Sequence, residues 1–133
     1  MQNHIRKCCR LLLLIIPVVL FCAACAEAGY CVTTGVVKDE NYGSVYTVIS
    51  PNELEALGFA LGDSIDVVFD NGYALEDIPY LNGYYVGTGE PLACAYPGNT
   101  YIAVCRAQGS SVWEESGARE DTQITIKLRE KGK

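Results

Sequence analysis

The stretch SPNELEALGFALGDSIDVVF, residues 50–69, carries the local signals from which the fold can be predicted. Ser50 is a helix N-cap, Pro51 suits the first helical position, and Glu53 completes a capping box. Gly58 is suited to end the helix, because glycine adopts the left-handed conformation at little cost. The final letters, SIDVVF, alternate polar and apolar residues and predict a half-buried strand. One or two helical turns followed by a strand are therefore expected.

The same pattern recurs roughly sixty residues later, in SVWEESGAREDTQITIKL, residues 111–128. Ser111 and Glu114 repeat the capping spacing, Gly117 repeats the helix stop, and an acidic turn again precedes an alternating strand. This echo indicates a repeated supersecondary unit. Two short helices, each closing one end of a strand layer, fit a small closed or nearly closed β-barrel better than a sandwich.

Further short apolar runs bring the predicted strands to six or seven. Besides the strands of the two repeats, they are residues 35–38 and 44–49 as one hairpin, and 92–96 and 101–105 as another. Residues 73–86, which contain Pro79 and Asn82-Gly83, are predicted to be an irregular strand or a structured loop. We therefore predict a mainly β domain, a barrel with two short helices, over residues 29–133.

Residues 1–28 have the organisation of a signal peptide. The basic residues Arg6, Lys7 and Arg10 precede an apolar run, and small residues follow it. The apolar run is about 16 residues long, shorter than the roughly 20 that a membrane-spanning helix needs. The sequence therefore predicts export, with cleavage of this leader.

The place of cleavage decides how the mature protein is held. Residues 21–25, FCAAC, resemble a bacterial lipobox, in which the final cysteine is acylated and becomes the new N-terminus. We therefore predict lipidation of Cys25 and attachment to the outer side of the cell membrane. Residues 26–28 form an A-x-A site for ordinary secretion, and an uncleaved transmembrane anchor is a further alternative.

Charge excludes one class of partner. Cleavage at Cys25 removes three of the ten Lys and Arg, so seven remain against sixteen Asp and Glu, a net charge of 7 − 16 = −9. Such an acidic domain repels a phosphate backbone, and no basic stripe interleaved with aromatic residues occurs. We therefore predict no nucleic-acid partner.

Cysteines and other reactive groups offer little chemistry. Processing leaves Cys31, Cys94 and Cys105, an odd number that excludes a full disulfide framework. Cys94 and Cys105 are predicted to be buried thiols, with a disulfide across their hairpin as the alternative. The single histidine, His4, lies in the leader, so the mature domain has no imidazole for a nucleophile pair or a metal site. We predict no catalytic residues, no metal and no cofactor.

Tyrosines are the remaining functional signal, since nine is a high number for this length. Tyr73, Tyr80, Tyr84 and Tyr85 fall within the irregular segment, where their rings could line a binding face. Half-buried packing on strands is the more usual role of tyrosine and is the interpretation we favour.

Several short motifs spread over most of the mature chain resemble one family. They are residues 42–49 (YGSVYTVI), 61–63 (LGD) and 101–104 (YIAV), followed by Ser110, Gly117 and Ile126. In this order they are similar to the C-terminal β-barrel domain of the S-adenosyl-L-methionine (SAM) hydroxide adenosyltransferases, the superfamily of the SAM-dependent fluorinases and chlorinases. The resemblance implies a β-barrel that, in the family, contributes to an adenosyl site beside an N-terminal catalytic domain.

The departures from the family pattern bear on function. Ala95, Tyr96 and Val104 stand where the family has residues that hold the adenine end of the ligand. Ser44 and Cys105 replace the asparagines of the family's F-G-N and I-A-V-N motifs. The catalytic N-terminal domain has no counterpart in this sequence, and a shared fold does not transfer chemistry without the site.

These observations predict a noncatalytic binding or accessory module, displayed outside the membrane, with an unknown small-molecule ligand. The resemblance also implies a protein partner or, as in related proteins, a fused phosphatase-like domain. The alternative is one part of a SAM-dependent adenosyl-transferring or SAM-hydrolysing enzyme, with the catalytic half on another chain.

Overall fold

The structure is a computed structural model, and it describes residues 30–131. The predicted leader, the predicted lipidation residue Cys25 and the two C-terminal residues lie outside the described part. Among the described residues, no helix is both long enough and apolar enough to cross a membrane.

Seven strands and two short helices make up residues 30–131. In chain order they are β1 (Cys31–Lys38), β2 (Val45–Thr47), α1 (Pro51–Ala56), β3 (Ser64–Phe69), β4 (Ala74–Leu81), β5 (Pro91–Cys94), β6 (Ala103–Arg106), α2 (Val112–Ser116) and β7 (Gln123–Glu130). The strands close into a barrel in the order β1-β2-β6-β5-β4-β3-β7, and β7 pairs with β1. All pairs are antiparallel except β4 with β5. The predicted mainly β barrel with two short helices is thereby confirmed.

Both helices begin at the predicted serine caps. The Ser50 hydroxyl accepts a hydrogen bond from the Glu53 amide at 3.2 Å, and the Glu53 carboxylate accepts one from the Ser50 amide at 3.3 Å. At α2, the Ser111 hydroxyl accepts from the Glu114 amide at 3.2 Å, and Gly117 ends the helix with a φ of 68°. These bonds satisfy amide groups that a helix leaves without intrahelical partners.

The sequence echo corresponds to an approximate two-fold relation between two halves of the barrel. In the β2–β6 pair Val45 lies opposite Val104, and in the β3–β7 pair Val67 lies opposite Ile126. The two members of each pair are separated by the same number of residues along the chain. One approximate two-fold axis therefore passes through both residue pairs. It relates the unit β1-β2-α1-β3 to the unit β5-β6-α2-β7. Strand β4 is additional to this duplication.

Strand β4 corrects the prediction for residues 73–86. The chain is a regular eight-residue strand as far as Leu81, and only the following segment is a loop. Pro79 is accommodated because the Tyr80 amide faces β3, where it bonds Asp63, so the nitrogen of Pro79 faces the other side. Strand β5 begins to pair with β4 only at Tyr80, and the missing N–H therefore breaks no ladder bond.

Apolar side chains fill the barrel and also form a second, smaller cluster. The interior holds Leu54 and Phe59 from the α1 region together with the inward residues of β3 and β7. On β5 and β6, Ala93 and Val104 belong to this interior cluster, whereas the alternate residues Leu92, Cys94 and Cys105 form the second cluster with Ala107. Leu81 and Val86 pack against the second cluster. The loop after β4 therefore covers the outer face of the β5–β6 hairpin.

The two ends of the barrel are different. At one end Tyr30 and Lys131 come together near Gly58, where the Lys131 ammonium lies 5.5 Å from the centre of the Tyr30 ring and bonds the Gly58 carbonyl. Strand β1 then carries the chain to the opposite end, a span of about 25 Å for eight residues. There the turn before β2 contacts α2, because the Gly43 carbonyl accepts from the Ser111 hydroxyl at 2.9 Å and the Trp113 amide at 3.0 Å.

We predict that Gly43→Ala lowers the free energy of unfolding by about 3 kcal/mol, and Gly62→Ala by only about 1 kcal/mol. Both glycines have positive φ angles, 70° and 92°, which any larger residue would adopt under strain. A Cβ on Gly43 would also lie 2.6 Å from the Ser111 Cβ, whereas nothing lies within 4 Å of a Cβ on Gly62. Urea denaturation of both variants measures the difference, and equal losses would contradict the close approach of the turn to α2.

Candidate functional site

A cleft of about 450 Å³ lies at the end of the barrel that holds the Gly43 turn. Three segments surround it: the β1–β2 turn, the loop after β4, and the connection from β6 to α2. Its lining residues are Tyr42, Ser44, Tyr84, Val86, Thr88, Cys105, Arg106, Ala107, Gln108, Gly109, Ser110 and Val112. It is within the size range of small-molecule sites in proteins.

The cleft has an apolar floor and aromatic walls. Cys105, Ala107 and Val112 are buried and form the floor. Tyr42 and Tyr84 come from different segments and are 83% and 54% exposed, so both rings offer free surface to a ligand. Large exposed aromatic groups around a concave, apolar surface are typical of recognition sites.

Neutral polar groups form the rest of the rim. Ser44, Thr88 and Ser110 contribute hydroxyls, and Gln108 contributes an amide. Gln108 has a φ of 49°, a left-handed conformation that is uncommon for a residue with a side chain. No Asp or Glu of the part of the chain that the structure describes lines the cleft.

Arg106 is the one charged residue among the described residues that line the cleft, and its charge is already compensated. Its Nε donates to the two carboxylate oxygens of Glu115 at 3.0 and 3.1 Å, and its Nη1 donates to the Gly89 carbonyl at 3.0 Å. The Tyr73 hydroxyl donates to the same carboxylate at 2.9 Å, and the Ser110 hydroxyl also donates to it. This network fixes the β6–α2 connection to the loop after β4.

Glu115 remains charged within this network. Burial by itself would raise the pKa of the Glu115 carboxyl, but hydrogen bonds from Ser110, Tyr73 and Arg106 outweigh it and hold the pKa below its usual range. The Arg106–Glu115 pair therefore contributes no net charge to the cleft. A strongly anionic ligand finds no uncompensated cation here.

Tyr84 is held in place by a second tyrosine. Its ring centre lies 5.7 Å from that of Tyr96, and the two planes are inclined by 32°. Burial, followed by the nearby thiols of Cys105 and Cys94, raises the pKa of Tyr84 to about 12. The hydroxyl is therefore protonated and can donate a hydrogen bond throughout the physiological pH range.

Cys94 and Cys105 are free, buried thiols in the structure. The register of the β5–β6 hairpin places Leu92, not Cys94, opposite Cys105, and Cys94 faces Ala103. The two cysteines are thus diagonal neighbours on one face, about 7–8 Å apart for such positions, beyond the usual span of a disulfide. This geometry explains why Cys94 and Cys105 do not form the disulfide across the hairpin that was the alternative prediction. Cys31 is disulfide-bonded in the structure.

The positions suggested by the family resemblance are only partly brought together. Ser44 and Cys105 both line the cleft, and Tyr96 contacts it indirectly through Tyr84. Val104 faces the barrel interior, and Ala95 packs against the interior cluster away from the cleft. Three of the five positions are therefore associated with the cleft, and two of those three, Ser44 and Cys105, lack the asparagine of the family pattern.

Sequence reasoning identified Tyr84 as a candidate but missed Tyr42, Gln108 and the Arg106–Glu115 pair as parts of one site. The signal available in the sequence was the short polar run at residues 108–110, directly before the Ser111 cap. Among residues 30–131 no group of three or more His, Cys, Asp or Glu could hold a metal ion. The described cleft is suited to binding and lacks an acid–base or nucleophile pair.

Comparison with known proteins supports the fold alone. No family model and no curated protein matches the sequence. Among solved structures, an uncharacterized conserved protein from Thermotoga maritima has a similar fold, with a TM-score of 0.61 and 18% sequence identity. The similarity covers 71% of this chain and 35% of that protein, so the present chain corresponds to about a third of its length.

We predict that the protein loses stability as the pH rises from about 9 to about 12. Burial raises the pKa of the Cys105 thiol and the Tyr80 hydroxyl to about 12, from ordinary values of 9.0 and 10.0. The unfolded chain therefore releases these protons at a lower pH than the folded chain, and stability present below pH 9 is lost through this window. Melting temperatures of wild type, Cys105→Ala and Tyr80→Phe should show a shallower decline in each variant. An identical slope in all three proteins would contradict the assignment.

Proposed function

We propose that this chain is a noncatalytic ligand-binding module, exported and held on the outer side of the cell membrane by a lipid on Cys25. The observation that carries the binding role is the cleft, which combines aromatic walls from separate segments with a neutral polar rim. Fixed Arg and Glu side chains hold its shape without offering a reacting group. The export leader supports the location.

The orientation of the barrel relative to the predicted lipid anchor is compatible with a ligand-binding role. Tyr30, the first described residue, lies at the end where Lys131 also lies, and the cleft lies at the opposite end. A lipid five residues before Tyr30 would leave the cleft directed away from the membrane, with the barrel length between them. A ligand in the surrounding medium would therefore have free access.

The second candidate is a half-enzyme that acts on SAM with a catalytic half from another chain. One observation favours it: the barrel corresponds to only part of the longer Thermotoga maritima protein. A protein partner or a fused phosphatase-like domain, as the family resemblance implies, would fit the same observation. The apolar residues at the former adenine positions favour the binding module.

We expect Cys25→Ala to lose the lipid mass and either leave the membrane fraction or remain as unprocessed precursor, and Cys22→Ala in the same leader to leave lipidation unchanged. A lipid chain contributes about 0.8 kcal/mol per buried methylene group, so a multiply acylated protein should partition almost completely into membranes. Membrane fractionation and intact mass measurement test this directly. Soluble wild type, or a mature mass without lipid, would reject the anchor.

We expect the described domain neither to hydrolyse SAM nor to bind adenosine at micromolar concentrations. Leaving a polar group of a nucleobase unpaired in a buried site costs roughly 1–3 kcal/mol, so two lost contacts weaken binding by about a hundredfold. Calorimetry with adenosine and SAM, with chromatography for released methionine, provides the measurement. Protein-dependent turnover would establish the enzyme in place of the binding module.

A further inference from the structure

We propose that the cleft binds a neutral saccharide, with sugar rings stacked on Tyr42 and Tyr84 and their hydroxyls bonded to the surrounding rim. This inference rests on the proposed binding function and names its ligand class. It follows from three properties of the cleft: the lack of uncompensated charge, the pairing of aromatic faces with many small polar groups, and the position at the free end of the barrel.

The charge of the site selects against ionic ligands. Among residues 30–131, Arg106 is the only cation that lines the cleft and it is bonded through Nε to Glu115, and no carboxylate of these residues lines the cleft. An anionic ligand would also approach a domain with an excess of acidic residues. A cation would find no carboxylate to pair with inside the cleft. A neutral ligand avoids the repulsion that an anion would meet, and it needs no charged partner in the cleft.

The distribution of polar groups matches a sugar. A pyranose ring has an apolar C–H face and an edge of hydroxyls that both donate and accept hydrogen bonds. Tyr42 and Tyr84 provide flat apolar surfaces, and Ser44, Thr88 and Gln108 provide groups that also donate and accept. Such side chains can pair with hydroxyls that stacking removes from water, which lowers the cost of leaving polar groups unpaired.

A proline-rich peptide is another ligand that docks on exposed aromatic side chains, and the cleft suits it less well. Proline has no N–H, so such a peptide offers carbonyl acceptors and few donors. The accepting capacity of the rim, in the oxygens of Ser44, Thr88, Gln108 and Ser110, would stay unused. Saccharide hydroxyls use both the donors and the acceptors.

The test is isothermal titration calorimetry of the protein with cellotetraose and chitotetraose, alongside tetragalacturonate and hexaproline. We expect at least one neutral tetrasaccharide to bind with a dissociation constant at or below the millimolar range. Tyr42→Ala and Tyr84→Ala should each weaken this binding at least tenfold, whereas Tyr84→Phe, which keeps the ring, should weaken it less than threefold. Tyr101→Ala, at a 39% exposed tyrosine that does not line the cleft, should leave the affinity unchanged.

Tyr42 is 83% exposed, so its variant keeps the fold even if Tyr84→Ala disturbs the contact with Tyr96. Failure of both tetrasaccharides to bind at 10 mM, about the weakest affinity that calorimetry resolves, would overturn the proposal. Equal affinity in Tyr42→Ala and wild type would also overturn it. Binding of hexaproline alone would reject the saccharide while the binding module stands. SAM turnover in the parallel assay would reject the module itself.

Discussion

The contact between the β1–β2 turn and the start of α2 is the constraint on which the cleft depends. The Gly43 carbonyl accepts from both the Ser111 hydroxyl and the Trp113 amide, and a side chain at Gly43 would prevent this approach. The bond brings the segment that carries Tyr42 against the connection that carries Gln108. Without this contact, the turn that carries Tyr42 would no longer be held beside the connection that carries Gln108.

The duplicated barrel provides a frame, and a difference between its halves creates the site. Strands β2 and β6 are equivalent, but the connection from β6 to α2, residues 107–111, is longer than that from β2 to α1, residues 48–50. The longer connection supplies Gln108 and Ser110 of the polar rim and Ala107 of the floor. Strand β4, which has no counterpart in the second half, leads into the loop that carries Tyr84. The cleft is therefore formed where the two-fold relation is broken.

Rigidity at this end comes from polar and apolar contacts together. The Arg106–Glu115 pair bonds the Gly89 carbonyl and the Tyr73 hydroxyl, and so links β6, α2 and the loop after β4. Beneath that loop, Val86 packs on the second apolar cluster, which contains the Cys94 and Cys105 thiols. Their burial keeps the thiols protonated, so they act as small apolar groups rather than nucleophiles. Side chains held in this way would lose little freedom if a ligand bound.

Local signals in the sequence determined the two capped helices, most strand positions and the duplication, because capping and alternation act between residues close along the chain. The Ser50 and Ser111 caps could be identified from spacing alone. Tertiary structure decided the regular strand around Pro79, since only the late start of the β5 pairing shows that its missing N–H is harmless. It also decided the diagonal register that keeps Cys94 and Cys105 apart, and the meeting of Tyr42, Tyr84 and Arg106 in one cleft. The register of the strands and the contacts between residues far apart in the sequence depend on how the barrel closes. Barrel closure cannot be predicted from any short stretch of sequence.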